Sequence, residues 1–183
     1  WILASVIMQG IGQIITIEWW TQDLAGVTDR SAGGGALAAI VGTLMIGLIT
    51  GLVAVPIGVL GAVFLIEYGR GTKAARVVSF MVDILSGVPS IVAALFVYAL
   101  IITTLGGNRS TFAASFALVL LMLPTVLRST EEMLKLVPDS LREASYALGV
   151  SKWKTILMVV IPTAFSGIAT GVVLGLARVT GEP

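Results

Sequence analysis

Five long stretches of this chain carry no charged residue, and short polar segments separate them. The charge-free runs are Trp1–Ile17, Ser31–Ile66, Ile84–Asn108, Ser110–Leu127 and Thr155–Ala177. Each is close to or longer than the ~20 residues that a helix needs to cross ~30 Å of hydrocarbon. Because lipid offers the backbone no hydrogen-bond partners, runs of this length must be helical. The pattern predicts an all-α fold, a polytopic transmembrane helical bundle.

Composition agrees with a membrane protein and excludes several other classes. Hydrophobic residues make up 57% of the chain and charged residues 11%, against about 25% charged residues in soluble domains. With a net charge of +1 and no clustered basic face, we expect no nucleic-acid partner. The chain contains no cysteine, which excludes disulfides and thiolate metal sites, and we expect no metal.

The first charge-free run, Trp1–Ile17, lacks the basic flank and the small-residue cleavage site of a signal peptide. We expect it to be the latter part of a first spanning helix. The chain ends at Gly181-Glu182-Pro183, where a fifth helix is ending. We therefore expect five spans, whole or partial, from a longer protein.

The charges of the four polar segments predict which of them face the cytoplasm. The segments are Glu18–Ser31, Glu67–Val78, Gly106–Ser110 and Arg128–Lys154. Lys and Arg number eight in the second and fourth segments together, and two in the first and third. Because cytoplasmic loops carry an excess of Lys and Arg, the second and fourth segments should lie inside.

Glycine and proline interrupt several of the spans. Gly87-Val88-Pro89-Ser90 breaks the third span near its inner end, and broken helices often line substrate pathways. Gly87, Pro89 and Ser90 are therefore candidate pathway residues. In the fifth span, glycines recur at every fourth position (Gly167, Gly171 and Gly175), a pattern typical of close helix packing in membranes.

Two charges continue this glycine stripe at the outer end of the fifth span. Arg178 and Glu182 are four residues apart and should share the packing face. Because a charge within a span is unfavourable, it should face a partner or a wet cavity. The two residues either form a mutual ion pair, or Arg178 handles an anion on the transport route and Glu182 orients it.

Two further charges lie near the inner ends of spans. Arg128 precedes Glu131 and Glu132 by three and four residues, so it either forms a local salt bridge or receives an oxyanion in bidentate fashion. Asp83 stands at the predicted start of the third span, where it either favours a helix N-terminus through the helix dipole or has a role in transport, and we expect the former.

The largest polar segment predicts a helical elbow. Pro138-Asp139-Ser140 is a helix-start signal, and Ser140 with Glu143 matches a capping box, Ser at the N-cap and Glu at N3. Gly149 should end this helix in the left-handed region, and Ser151 should cap a second helix. A small apolar surface is expected from Ala144, Ala147 and Leu148. Trp153 is either a buried interface anchor or an interfacial tryptophan of the membrane belt.

The elbow also carries a resemblance to a known family. Glu143, Ala144 and Gly149 stand at the spacing E-A-A-x3-G, with Ser145 in place of the second Ala, and Ile161-Pro162 closes the pattern where I-x-L-P is expected. The segment resembles the EAA loop of ABC-importer permeases, which docks on the ATP-hydrolysing subunit. The resemblance implies a cytoplasmic coupling loop over residues 129–162, with Glu143, Ala144, Gly149, Trp153 and Pro162 as coupling residues.

Further stretches, in the same order, resemble phosphate-importer permeases and cover nearly the whole chain. They are Ile40–Leu44, Pro56–Gly58 with Glu67-Tyr68, Leu85–Val92, Leu123-Pro124, Arg128–Glu132 and Ala177–Glu182. The Arg128–Glu132 stretch is more similar to permeases of the PstA type than to their PstC-type partners. Pro183 departs from the pattern, since Thr is usual there.

This resemblance implies a type I ABC-importer permease fold of six helices, in which 1–183 is a single permease domain without the start of helix one and without helix six. It implies a plasma (inner) membrane location and three partners: an ABC ATPase that binds ATP and Mg²⁺, a second related permease, and an extracytoplasmic phosphate-binding protein. This chain itself would hold no cofactor. By resemblance, Arg128, Arg178 and Glu182 match charged positions linked to phosphate passage.

Other functions remain open at this point. Within the permease class, the alternatives are a permease for sulfate or molybdate and the PstC-type phosphate permease. A membrane enzyme would need a polar catalytic cluster, yet the chain has no His and no Cys, and we expect no enzymatic activity. An ion channel or assembly-type membrane protein would explain the helices but not the elbow.

Overall fold

The computed structural model describes residues 1–24 and 34–182 and contains no strand within them. Nine α-helices run through these residues: α1 (Ile2–Ile14), α2 (Ile17–Thr21), α3 (Leu37–Val63), α4 (Lys73–Gly87), α5 (Ser90–Val97), α6 (Thr111–Leu136), α7 (Asp139–Ala147), α8 (Lys152–Thr155) and α9 (Ile161–Thr180). π-helical turns extend three of them, at Phe64–Tyr68, Tyr98–Thr104 and Ile156–Val160. The all-α fold class is confirmed.

The chain divides into two compact units, Trp1–Met45 and Ile46–Pro183. In the first unit, α1 is a short apolar helix, and the Trp20 indole nitrogen donates a hydrogen bond of 2.9 Å to the Ile14 carbonyl. Asp29, Arg30 and Ser31 of the predicted outer segment, like Pro183, lie outside the described residues. The prediction of one domain over 1–183 stays a prediction.

Within residues 1–24 and 34–182, three continuous helices are long and apolar enough to cross a membrane: Leu37–Tyr68, Thr111–Leu136 and Lys152–Thr180. They correspond to the predicted second, fourth and fifth spans. Each extends beyond its charge-free run, since charged residues at one end continue the helix. Pro162 therefore lies inside the third of these helices, just after the π-helical turn Ile156–Val160, and not at the end of a loop.

The predicted third span is a bent pair, α4 and α5, which meet at 104°. Val88 and Pro89 between them are extended, with ψ of 125° and 141°, because proline disfavours the α-helical region for the residue before it. The predicted break is confirmed. The expected position of Asp83 is wrong: α4 begins at Lys73 with Thr72 as its N-cap, so Asp83 lies in its second half, far from the N-terminus.

Helix α6 is the centre of the second unit, and glycines allow its neighbours to approach it. A Cβ added at Gly167 or Gly171 would come 2.1 Å from Met133 Sδ or 2.0 Å from Ser129 Oγ. On α3, a Cβ at Gly58 would come 2.9 Å from Val126. The packing role predicted for the fifth-span glycines is confirmed, since only a residue without a side chain fits these positions.

Candidate coupling elbow and charged sites

Helix α7, the following turn and α8 form the predicted elbow, and Gly149 closes it. The Gly149 backbone has φ +75°, a left-handed conformation that glycine adopts without steric strain. The Gly149 N–H donates to the Tyr146 carbonyl at 2.9 Å, and the Val150 N–H donates to the Ser145 carbonyl at 3.2 Å. These two bonds form a Schellman motif, which confirms the role of Gly149 as the C′ residue.

The predicted capping box is wrong. Helix α7 begins two residues earlier than expected, with Pro138 as its N-cap and no side-chain cap bond. Glu143 therefore lies beyond the first turn, where its carboxylate cannot return to the N-cap. The second helix begins after Ser151 as predicted, but the Ser151 side chain makes no cap hydrogen bond. An exposed Glu143 without a capping task is available to a partner.

The outer surface of the elbow is exposed and partly apolar. Glu143 and Ala144 are exposed on α7, and Leu148 is 83% exposed at the turn. Trp153 on α8 is 54% exposed. Two large apolar side chains are thus exposed on the same elbow as the residues of the predicted coupling motif.

The inner side of the elbow holds a buried ion pair that sequence reasoning missed. Arg142 of α7 and Glu67 of the π-helical turn Phe64–Tyr68 form a salt bridge of 2.9 Å, with side chains 9% and 5% exposed. The two residues belong to the two basic segments predicted to face the cytoplasm, so these segments meet at one end of the unit. The signal in the sequence was a glutamate directly after an apolar run.

Arg128 is held by its neighbours. Its guanidinium pairs with Asp83 of α4 and with Glu131 of α6, and it donates to Ser79 Oγ at 2.8 Å and to the Ser79 carbonyl at 3.0 Å. Of the two alternatives, the local salt bridge is present, with Glu131 and not Glu132. The contact between Arg128 and α4 was not foreseen, and an anion would have to displace a carboxylate to reach this arginine.

Arg178 contrasts with Arg128. Within the described residues it has no ion pair, and its one hydrogen bond is a long one, 3.5 Å to Thr125 Oγ1 of α6. The alternative of an Arg178–Glu182 ion pair is therefore not what the structure contains. The buried face of α9 continues through Gly175 and Val179, so Arg178 lies exposed at its edge and not within it.

The helix break and the end of α9 line one cavity. Ser90 at the start of α5 and Glu182 after α9 both face a space of about 220 Å³, which residues of α6 complete. The structure thus joins two predicted pathway residues that are far apart in the sequence. Nothing in the described part of the structure requires a glycine at Gly87, because a Cβ built there meets no atom within 4 Å. The helix breaks at Val88 and Pro89, whose backbones are extended. Arg178 and Arg128 do not line this cavity.

The family model of binding-protein-dependent transport system inner membrane components matches residues 54–182, which include the broken span, α6, the elbow and α9. The chain belongs to this family. Members of this family are inner membrane components, and the described residues contain three helices apolar enough to cross a membrane. The predicted multi-pass location in the inner membrane is confirmed.

Relatives match the chain from end to end. The phosphate transport system permease protein PstA of Mycobacterium leprae is 53% identical over 182 residues, covering 100% of this chain and 60% of that protein. PstA 1 of Mycobacterium tuberculosis H37Rv is 54% identical, with coverage of 100% and 59%. PstA of Haemophilus influenzae is 43% identical, with coverage of 100% and 63%. The chain thus spans about 60% of the length of these relatives.

Solved structures support the same fold. An inward-facing structure of the MetNI methionine ABC transporter aligns with a TM-score of 0.67 and 25% identity, over 80% of this chain and 68% of that one. An amino acid ABC transporter solved with histidines aligns with a TM-score of 0.54 and 23% identity, over 76% and 68%. The predicted type I ABC-importer permease fold is confirmed.

Proposed function

We propose that this chain is the core of a transmembrane permease subunit that imports inorganic phosphate in an ATP-driven complex. The observation that carries the proposal is the identity of 53–54% over 182 residues with PstA-type phosphate permeases. The relatives described above are all PstA-type phosphate permeases, which favours phosphate over sulfate or molybdate and the PstA type over the PstC type. The substrate would be an anion whose unaided passage through hydrocarbon is prohibitive.

The elbow supports an ATPase partner. In this proposal the ATPase holds ATP and Mg²⁺, this chain holds no cofactor, and the exposed surface of Glu143, Ala144, Leu148 and Trp153 enters the ATPase. Tryptophan is enriched among residues that dominate binding energy at interfaces. Gly149 would hold the turn between the two helices in place, while Pro162 lies in the membrane-spanning helix and would act only through that helix.

The remaining partners follow from the same proposal. A second, related permease would complete the route, and an extracytoplasmic phosphate-binding protein would deliver the anion. Arg178 is the better candidate for contact with phosphate, since it lacks the competing carboxylates that hold Arg128. Ser90 and Glu182 would line the route at the helix break, with the orientation of the loops as predicted from their charges.

Transport by the full-length protein, reconstituted in proteoliposomes with its ATPase, second permease and binding protein, tests the proposal. Radiolabelled phosphate should accumulate only when the ATPase hydrolyses ATP, and unlabelled phosphate should compete with it. Sulfate and molybdate at the same concentrations should not compete. Accumulation of sulfate or molybdate in place of phosphate would reject the substrate, and accumulation without ATP hydrolysis would reject the coupling.

A further inference from the structure

Arg142 uses all of its hydrogen-bonding capacity at the base of the elbow. Its Nε donates to Glu67 Oε1 at 3.0 Å, and its Nη2 donates to the same oxygen at 2.9 Å and to the Leu134 carbonyl at 3.1 Å. Its Nη1 donates to the Val137 carbonyl at 2.7 Å and to Asp139 Oδ1 at 3.0 Å. Arginine has five N–H donors, so each donor has a partner.

These partners belong to different helices. Glu67 lies on the π-helical inner end of α3, while Leu134 and Val137 are at the C-terminal end of α6. A helix leaves its last carbonyls without intrahelical partners, and Arg142 satisfies two such carbonyls. One side chain of α7 therefore ties the elbow to the inner ends of two membrane-spanning helices.

Two neighbouring contacts brace the same junction. Lys152 of α8 donates to the Glu67 backbone carbonyl, and its ammonium lies 4.8 Å from the centre of the Tyr68 ring. Ser145 of α7 and Thr155 of α8 are both buried, and their hydroxyls are 2.8 Å apart. Helices α7 and α8 therefore both form hydrogen bonds with Glu67 at the end of α3.

A buried ion pair of this kind is a poor source of stability, because desolvation offsets much of the attraction. Its distinctive property is geometric: a planar guanidinium with five directed bonds resists rotation and sliding. We propose that Glu67 and Arg142 are positioning residues that make the inner ends of α3 and α6 move together with the elbow. This inference rests on the proposed coupling to an ATPase and names the contact that would transmit its motion.

Two conservative variants of the full-length protein in its complex test the link. Glu67→Gln keeps an acceptor without the charge, and Arg142→Lys keeps the charge without the fork. We expect phosphate transported per ATP hydrolysed to fall by about tenfold or more in each, as expected for losing hydrogen bonds to a charged group. Asp139→Asn is the control, since Asp139 meets the same guanidinium but is 70% exposed; its ratio should stay unchanged.

Spin labels distinguish transmission from stability. The 183 residues contain no cysteine, and Leu60 on α3 and Ala147 on α7 are exposed. With cysteines at both positions, the label separation should be the same before and after ATP binding in the otherwise unchanged protein, and should change in Glu67→Gln. An unchanged separation in Glu67→Gln would overturn the proposal.

A double variant, Glu67→Leu with Arg142→Met, removes both charges and with them the penalty of a single buried charge. We expect complex assembly to recover relative to Arg142→Met alone, while transport per ATP stays low. If complex assembly and transport per ATP both recovered, the ion pair would serve only to balance buried charge, and the proposed positioning role of Glu67 and Arg142 would be overturned. If the unchanged complex takes up no phosphate, the proposal that phosphate is the substrate is rejected. The label separations still test whether Glu67 and Arg142 make the helices move with the elbow.

Discussion

Arg142 and Arg178 are the same side chain in opposite surroundings. Arg142 is 9% exposed at the end of the second unit that carries the elbow, where five hydrogen bonds hold it. Arg178 is exposed near the end of α9, with one hydrogen bond of 3.5 Å and no ion pair among the described residues. A guanidinium whose five N–H donors all have partners holds the surrounding structure in place, whereas one with unpaired donors can bind an anion. The two arginines thus differ in how many of their N–H donors have partners.

Removing the saturated arginine should have the largest effect on stability. Arg142→Met leaves Glu67 as a buried, unpaired charge, which should lower the free energy of unfolding by ~3–5 kcal/mol. Thermal unfolding of the purified protein in detergent measures the change. Arg178→Met is the matched control, for which we expect less than ~0.5 kcal/mol because its surroundings are exposed. Equal losses in the two variants would remove the contrast between the arginines.

The free arginine should affect transport instead. Arg178→Ala should reduce phosphate uptake by about 10- to 100-fold, the loss expected for a hydrogen bond to a charged group, while the complex stays assembled. Arg178→Lys should restore part of the uptake at best, because an ammonium cannot reproduce the planar fork. Normal uptake by Arg178→Ala proteoliposomes would place the anion route elsewhere.

The packing glycines give an intermediate effect on stability. Gly171→Ala places a Cβ against Ser129 Oγ and should destabilise the protein by ~1–3 kcal/mol through overpacking. Gly87→Ala is the control, since its Cβ meets nothing within 4 Å, and it should be neutral or stabilising by ~0.5–1 kcal/mol. Thermal unfolding measures both effects, and a lower melting temperature for Gly87→Ala than for Gly171→Ala would contradict the packing role of Gly171.

The turn of the elbow gives the smallest expected effect. Gly149→Ala forces a Cβ into the left-handed region and should cost ~1–2 kcal/mol locally. Gly71→Ala introduces the same strain at φ +78° in the turn between Tyr68 and α4. Only Gly149→Ala should weaken stimulation of the ATPase by phosphate-loaded binding protein, measured in the reconstituted complex. A similar decrease in both variants would assign the effect to strain alone.

Local sequence predicted the elbow well except for its caps. The left-handed Gly149 was predictable because few other residues adopt that backbone conformation. The start of α7 was not, because Pro138 and Ser140 are both acceptable at a helix start, and the contacts of Arg142 with Val137 and Asp139 favour the earlier one. Asp83 was misplaced for a related reason: charged residues such as Lys73 and Arg76 continue a helix into the polar segment.

The sequence alone determined that the chain is helical, spans a membrane and breaks at Val88-Pro89. These properties depend on local effects, namely the need to satisfy backbone hydrogen bonds in lipid and the backbone restriction before proline. Only the tertiary structure decided which charges are free. Glu67 meets Arg142 across 75 positions, and Asp83 meets Arg128 across 45. Such pairs form because helix packing brings distant side chains together, and no local pattern specifies that packing.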